Sequence, residues 1–380
     1  VSEIISNSTT YELVLVGIFL MAFLIQALYY LGFFLKVATH KNAVNPDGQE
    51  HPGVTIVICA RNEEENLECF LPSILEQKYP NYEVVVVNDC SSDNSDMVLD
   101  RLSRKYPHLR VSTIKEDEKF THNKKLALTV GIKAAKNDWV LLTDADCRAE
   151  SDQWLASMAS NFDGGKEIVL GYGGYIVEKG FLNKLIRFDT MFIAMHYLGF
   201  ALVGKPYMGV GRNLAYRRDL FFRNKGFASH SFMDSGDDDL FVNEVATGAN
   251  TAVEFRHESH TRSVPRKTFG QWVAQKRRHI TTGNRYRAST KWWLAGEVAS
   301  RFAFFASAIA LIALLYYPFV ISGIVLARWA LQLSIIKAVM NRLNERKILL
   351  ISLLYDLWSL FFYGTLLLLN SLSVKRSRWR

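Results

Sequence analysis

The sequence predicts an α/β fold, a mostly parallel sheet with helices on both faces, set between apolar segments that can cross a membrane. Three observations carry this. From Val54 to Asp146, β-branched runs that stop on polar loops alternate with helical patterns; the last run delivers two carboxylates, Asp144 and Asp146; and the apolar residues of the 380-residue chain are concentrated at its two ends.

Tyr11 to Leu35 is 25 residues long with one charge, Glu12 at its edge, and is expected to span a hydrocarbon core as one helix. A cleaved signal is disfavoured, because no basic residue precedes the run and no small-residue cleavage site ends it. The chain begins on Val1, so a native start ahead of it is expected. Glu3 and Glu12 lie before or at the start of the run, whereas Lys36 and Lys41 follow it, which by the positive-inside rule puts the amino terminus outside and the following part in the cytosol. All four cysteines, Cys59, Cys69, Cys90 and Cys147, fall in that part without metal-ligand spacing and are expected to be buried reduced thiols. The net charge of +8 comes partly from clusters at 262–287 and 375–380. Basic patches beside spans meet lipid headgroups, and no accompanying motif supports nucleic-acid binding.

His51-Pro52-Gly53 breaks the linker, and Val54 to Ala60 reads as a buried strand. A helix start follows at 61–67, with acidic residues in a first turn that suits the positive end of the helix dipole. Tyr82 to Val87 is a second strand, ending on Asn88-Asp89. Asp89 thereby offers a carboxylate for a base or a ribose, while Asp93 or Ser95 is expected to cap the next helix. Leu109 to Ile114 is a third strand. Asn123 to Ala135 has helical spacing of Leu126, Val130 and Ala134, with Lys124 and Lys125 at its start. Cations are unfavourable at that end of a helix, so the pair serves an anion such as a phosphate or is simply solvated. The run from Asp138 to Asp146 is a buried strand whose carboxyl end is where open α/β sheets hold ligands. Residues two apart on an extended chain point the same way, so Asp144 and Asp146 can face one hard divalent cation, and that cation can hold a diphosphate. Alone, an Asp-x-Asp is weak evidence for a metal, because such pairs also occur in turns and as solvated loop ends.

Val-Ile-Cys-Ala-Arg-Asn-Glu-Glu from Val57, the Asn88-Asp89 loop, Lys124 to Leu128, and Thr143-Asp144-Ala145-Asp146 together resemble the nucleotide-binding half of family 2 glycosyltransferases, in order as well as in spacing. The resemblance covers roughly 54–279. It implies a GT-A fold, Rossmann-like in kind, with a UDP-sugar donor and a bound Mg²⁺ or Mn²⁺. By the same resemblance Ala60, Arg61, Glu63, Asp89, Lys124 and Asp144 would contact the donor nucleotide, and Asp144 with Asp146 the diphosphate and its metal.

The second half should then bind the acceptor. Glu167 to Val177 carries Gly171, Gly173 and Gly174, which suit close backbone approach or a bulge. Phe181 to Val203 is long, aromatic and Met-rich; it lines an acceptor channel or packs in the core. Tyr207 to Arg217, with Gly209, Gly211 and Asn213, resembles the family's segment beneath the acceptor sugar. In Gly236 to Asn243, Asp237, Asp238 and Asp239 repel one another, so burial would raise at least one pKa toward the range of a general base; the bland reading is an acidic first helical turn. The family's acidic pair falls here, which makes Asp238 the expected base, with Asp237 and Asp239 as alternatives. Asp237, Gly209 and His279 are expected at the acceptor. After a strand near Thr251 to Phe255, Phe269, Trp272 and Val273 share one helical face beside Lys276, Arg277 and Arg278, as in a helix lying in a membrane interface. Gln275 to His279 resembles the family's Gln-x-x-Arg-Trp motif with His in place of Trp. The resemblance puts Gln275 and Arg278 at the donor diphosphate, while His279 would stack less strongly on an acceptor sugar.

At the carboxyl end, Phe302 to Leu326 is one span, or Pro318 divides two that end near Met340; Ile348 to Leu369 is another. Arg328, Lys337 and Asp356 are awkward in lipid. In the three-span reading, which is preferred, Arg328 and Asp356 can pair. Three spans put Lys375 to Arg380 outside and two put Arg342, Arg346 and Lys347 outside, so charge favours neither. The expected divisions are a spanning helix at 1–36, a cytosolic GT-A domain at 37–260, an interfacial region at 261–297, and spans with a basic tail at 298–380.

The resemblance extends to ceramide glucosyltransferases and to hyaluronan, chitin and cellulose synthases. It implies an inverting, metal-dependent transfer from a UDP-sugar to a hydroxyl of a lipid or lipid-linked acceptor. The alternative is a processive polysaccharide synthase, and a rival of another class is a non-catalytic membrane scaffold on the same fold. The expected setting is a multi-pass protein of a bacterial inner membrane, in contact with membrane lipids, with its catalytic domain cytosolic.

Overall fold

Continuous β-branched runs with no exposed face become inner strands of a parallel sheet. In the computed structural model, which describes residues 9–41, 52–115, 123–162 and 165–372, the first four strands are β1 (Val54–Ala60), β2 (Tyr82–Asp89), β3 (Leu109–Ile114) and β4 (Trp139–Asp144). Helices α2 (Glu64–Leu75), α3 (Ser95–Lys105) and α4 (Lys124–Ala134) connect them. With β6 (Ile168–Gly171), β8 (Leu214–Arg217) and β9 (Thr251–Glu254) they make one seven-stranded sheet in the order β3-β2-β1-β4-β8-β6-β9. Pairing is parallel except on either side of β8, which runs against both β4 and β6. Alternate residues of β1 explain the two covered faces. Val54, Ile56, Ile58 and Ala60 pack with α2, α3 and α5 (Trp154–Ala159), whereas Cys59 turns toward Ala127 and Val130 of α4. Gly131 lets α4 sit close, since a Cβ there would lie 2.5 Å from Val57 Cγ1.

A second sheet of three short strands, β5 (Cys147–Ala149), β10 (Thr261–Ser263) and β7 (Gly173–Tyr175), lies beyond the Asp146 turn in the order β5-β10-β7. Helix α6 (Phe181–Leu202) is the aromatic and Met-rich stretch. It is long and apolar enough to cross a membrane, yet nearly all of it is buried within this part of the chain, so its side chains are core. The remaining elements are α7 (Arg218–Arg223), α8 (Asp239–Val245) and α9 (Phe269–His279). All belong to one compact unit formed by 40–286 with 342–344. Of the apolar face expected on α9, Trp272 is buried against protein and Phe269 stays exposed. The cysteines depart from expectation: all are free, but Cys147 alone is buried, Cys59 and Cys90 are partly so, and Cys69 is exposed.

The other unit comprises 1–39, 287–341 and 345–380. Its helices are α1 (Thr10–Thr39), α10 (Ala288–Ala313), α11 (Pro318–Arg342) and α12 (Ile351–Leu372), each long and apolar enough to span a bilayer. Pro318 opens α11, where its missing N–H costs nothing. Buried charge sits inside this bundle. Arg328 donates to both carboxylate oxygens of Asp356 at 2.5 and 3.2 Å, to Gln26 Oε1 at 2.7 Å and to Gln332 Oε1 at 2.8 Å. Arg301 pairs with Glu297 at 3.3 Å and lies 3.8 Å from Asp356. Glu3, His51 and the basic tail at 375–380 lie outside the described residues.

Candidate active site

The carboxyl ends of β1, β2 and β4 open on one polar cleft. Asp89 closes β2 and is buried, and Ala60 closes β1. The two following loops are laced together. Asp93 Oδ2 accepts from Glu64 N at 3.0 Å and its Oδ1 from Ser95 N at 3.1 Å, while Ser95 Oγ accepts from Glu63 N at 3.2 Å. Asp93 therefore caps α2 across the cleft as well as serving its own helix. Arg61 is exposed. Burial, then the charges of Asp146 and Asp144, raise the Glu63 pKa, which places that side chain beside the Asp-x-Asp turn.

Asp144 ends β4 and Asp146 lies in the turn that follows. Lys124 Nζ reaches Asp144 Oδ1 at 2.8 Å and Asp237 Oδ2 at 3.2 Å. Burial opposes ionisation of Asp144, yet Lys124, with Arg212 and Arg278 further off, holds its carboxyl below the usual range. Among the described residues Asp146 makes no ion pair of this kind; burial and the Asp144 charge push its pKa up against the more weakly opposing Arg212, and it takes hydrogen bonds from the neutral donors Ser263 and Cys147. Ligand atoms of Asp144, Asp146 and Cys147 lie within 4.8 Å of one another. Two hard oxygen donors, one of them short of positive charge, fit Mg²⁺ or Mn²⁺, which take one or two carboxylates together with substrate phosphates. Cys147 fits poorly, because burial and the two carboxylates drive its pKa far up and a neutral thiol is a soft, weak donor for such ions.

The three consecutive aspartates divide their partners. Asp237 faces Lys124. Asp239 Oδ2 accepts from Thr282 Oγ1 at 2.5 Å and from Tyr286 Oη at 2.7 Å, so it ties α8 to the segment after α9. Asp238 is the N-cap of α8; its Oδ2 accepts from Gly211 N at 2.7 Å and its Oδ1 from Asp239 N at 2.7 Å. Burial, then Asp237 and Asp239, push Asp238 up to about 7. The stretch is the acidic start of a helix, and its middle carboxyl is the one whose pKa is raised. Gly236 precedes them at φ 101, a conformation suited to glycine.

Gly211, not Gly209, faces the cleft: a Cβ on Gly211 would lie 3.4 Å from Lys124 Nζ and 3.5 Å from Asp238 Oδ2, whereas one on Gly209 would press on Leu170 and Leu214. Asn213 is buried and donates to the Tyr172 and Ser259 carbonyls at 3.0 and 2.7 Å, a packing role. On α9, a buried ion pair between Lys276 and Asp189 of α6 anchors the helix. Gln275 Nε2 lies 3.4 Å from Tyr175 Oη, and its buried Oε1 has no hydrogen-bond partner among the described residues. Arg278 and His279 are exposed at the helix end. The protein around the ring, then the charges of Lys276, Arg278, Arg212 and Lys124, hold the His279 imidazole below its usual pKa even though the residue as a whole is open to solvent.

Sequence reasoning missed Arg212. Its guanidinium stacks 4.5 Å from the Tyr175 ring and its charge acts on Asp144 and Asp146. The signal was a cation set between Gly211 and Asn213 in a segment already singled out for its glycines.

A profile described as Glycosyl transferase family 21 matches residues 14–380. Among curated proteins, the poly-beta-1,6-N-acetyl-D-glucosamine synthase of Staphylococcus epidermidis is 28% identical over 131 residues, 34% of this chain and 30% of that protein. The Staphylococcus aureus (strain COL) synthase of the same name is 32% identical over 112 residues, 30% of this chain and 26% of that protein. The match thus spans less than a third of the length of either relative. Among solved structures, the mannosyltransferase PcManGT from Pyrobaculum calidifontis, in complex with GDP-Man and Mn²⁺, aligns with a TM-score of 0.57 at 21% identity, over 92% of this chain and 99% of that one, a likeness of fold. The protein is a GT-A sugar transferase related to the family 2 polysaccharide synthases, and the chain belongs to glycosyl transferase family 21.

Proposed function

We propose that the protein transfers a sugar, with inversion, from a UDP-sugar to a hydroxyl of a glycan. The observation that carries the reading is that Lys124 bridges Asp144, one of a carboxylate pair fit for a metal, to Asp237, the residue directly before a carboxyl pushed up to about 7. Asp89, Ala60, Arg61 and Glu63 line the nucleotide end. A divalent cation on Asp146 and Asp144 would supply countercharge to the departing diphosphate. Arg278 and Gln275 would bind the phosphate oxygens, Arg278 through its planar fork, with Arg212 adding charge nearby. Asp238, ionised, would take the proton of the acceptor hydroxyl as its oxygen attacks the anomeric carbon from the face opposite UDP, which inverts that carbon. Asp237 and His279 would stand on the acceptor side.

The relatives that make a β-1,6-linked N-acetylglucosamine polymer support a glycan acceptor over the lipid expected from the sequence. The second reading is a lipid-borne hydroxyl, favoured by His279 where the resembling synthase motif has Trp. In either case we place the catalytic unit in the cytosol and the apolar helices in the membrane. The test is UDP release by purified protein in native lipid extract, with Mg²⁺ or Mn²⁺, across a panel of UDP-sugars with GDP-mannose as comparison, and with products sized. Metal-dependent turnover that Asp238→Asn abolishes supports the enzyme. A polymer supports the glycan acceptor, a single-sugar lipid the second reading, and no turnover despite UDP binding favours a non-catalytic scaffold.

A further inference from the structure

Lys125 has no part in the chemistry above, yet it is among the most deeply buried cations of the catalytic unit, 4% exposed. That excludes a solvated lysine pair. Its Nζ donates to the carbonyl oxygens of His230 at 2.6 Å and Met233 at 2.9 Å, so it does not point at a phosphate either. Both carbonyls belong to the segment between α7 and α8, which has one short 3₁₀ turn at Ala228–His230 and otherwise no regular structure before Asp238.

Such a segment has no ladder or helix to fix it, so side-chain ties must do so. On one side Asp239 is held by Thr282 and Tyr286, and Ser235 Oγ lies 3.3 Å from the Arg278 carbonyl. On the other side stands Lys125. The residue before it on the same helix, Lys124, grips Asp144 and Asp237. A single turn of α4 thus fixes the span between the donor carboxylates and the turn that carries Asp238. Burying an ammonium is costly, and a Met of similar length would fill the space without that cost but would take the Lys125 donor from the Met233 carbonyl and leave the His230 carbonyl with Met233 N alone.

We propose that Lys125 is a positioning residue for sugar transfer, holding the 230–238 segment so that Asp238 meets the acceptor hydroxyl in register with a donor seated at Asp144. The inference rests on Asp238 being the base. It concerns kcat: Lys125 touches neither nucleotide nor metal, and misplacing a reacting group by about 1 Å can cost on the order of a hundredfold.

The experiment compares Lys125→Met, Lys125→Arg and Asp238→Asn in the full-length protein, measuring kcat and KM for the UDP-sugar, UDP affinity by calorimetry, and amide hydrogen exchange. Lys125→Met should lower kcat by roughly 10- to 100-fold while KM and UDP affinity stay within about twofold. Exchange should quicken at 230–238 and not across the sheet, a local change that general destabilisation would not give. Lys125→Arg, which keeps donors on a longer arm, should recover part of kcat; if the Met variant does not fold, the Arg variant must show the same split between kcat and KM. Unchanged kcat in Lys125→Met with Asp238→Asn inactive overturns the positioning role alone. Active Asp238→Asn overturns the base assignment instead. An equal loss of UDP affinity would make Lys125 a donor residue and also overturn the proposal.

Discussion

Asp238 is held about three pKa units above an ordinary aspartate, at about 7 against 3.8. At about 1.36 kcal/mol per unit this is a difference of roughly 4 kcal/mol between its protonation states. Because kcat/KM reports the free enzyme, log(kcat/KM) should climb with unit slope below about 7 and level off above it, standing near a tenth of its plateau at pH 6. Asp237→Asn tests the cause. For a separation taken as ~6 Å, a unit charge is worth about 3 kcal/mol at an effective dielectric near 20, or about two units at 1.36 kcal/mol each, so the limb should move acidward by on the order of one to two units. Asp238→Asn should lower turnover by roughly 10²- to 10⁴-fold and erase the limb. The stability effect has the opposite sign to the activity effect. The folded state binds the Asp238 proton more tightly than the unfolded chain does, so this group's contribution to stability is full below pH 3.8 and is lost as pH rises through about 7. The assay is UDP release across pH 5 to 9 (roughly, to span the limb) at saturating metal. A limb near the ordinary carboxylate range, or one that survives in Asp238→Asn, would refute the assignment.

Asp146→Asn should raise the Mn²⁺ concentration needed for turnover by at least roughly tenfold, whereas Cys147→Ser should leave it unchanged; the reverse pattern in a metal titration would mean that the thiol is the ligand. Arg328→Met should cost about 3–5 kcal/mol by leaving Asp356 only the more distant Arg301, 3.8 Å away, and adding Asp356→Leu should restore much of it. Thermal unfolding in detergent reads this, and a double variant no more stable than the single one would count against a balanced pair. Gly131→Ala should cost about 1–3 kcal/mol, since its Cβ would meet Val57 Cγ1 at 2.5 Å. An unchanged denaturation midpoint would mean that α4 can lift from the sheet freely.

The nucleotide-binding half was legible because its signals are local. Val54–Ala60 and Leu109–Ile114 are strands with the expected bounds, and Asp89, Lys124 and Asp144 gather about Cys59 at the end of the first strand, with Asp238 close enough to act on Lys124. What was not legible depends on partners far away in sequence. The three-residue strands β5, β7 and β10 are too short to show a period, and the reversed direction of β8 is set by the strands beside it rather than by its own residues. Apolar pattern alone did not settle whether α6 lines a channel or fills the core, because both require the same composition. The Lys124-Lys125 pair misled for a similar reason. Neighbouring lysines on a helix point different ways, and one met carboxylates while the other met main-chain carbonyls.

The charged pair inside the apolar bundle also bears on how the chain is made. Arg328 and Asp356 sit on successive helices joined by a short connection, and either helix alone would carry an unmatched ion into lipid, at about 2.5–3.5 kcal/mol for a residue at mid-membrane. Released one at a time during synthesis, both would linger at the insertion machinery. Released as a hairpin, they arrive already neutralised, with Gln26 of the earlier helix waiting to accept one more of the guanidinium's hydrogen bonds.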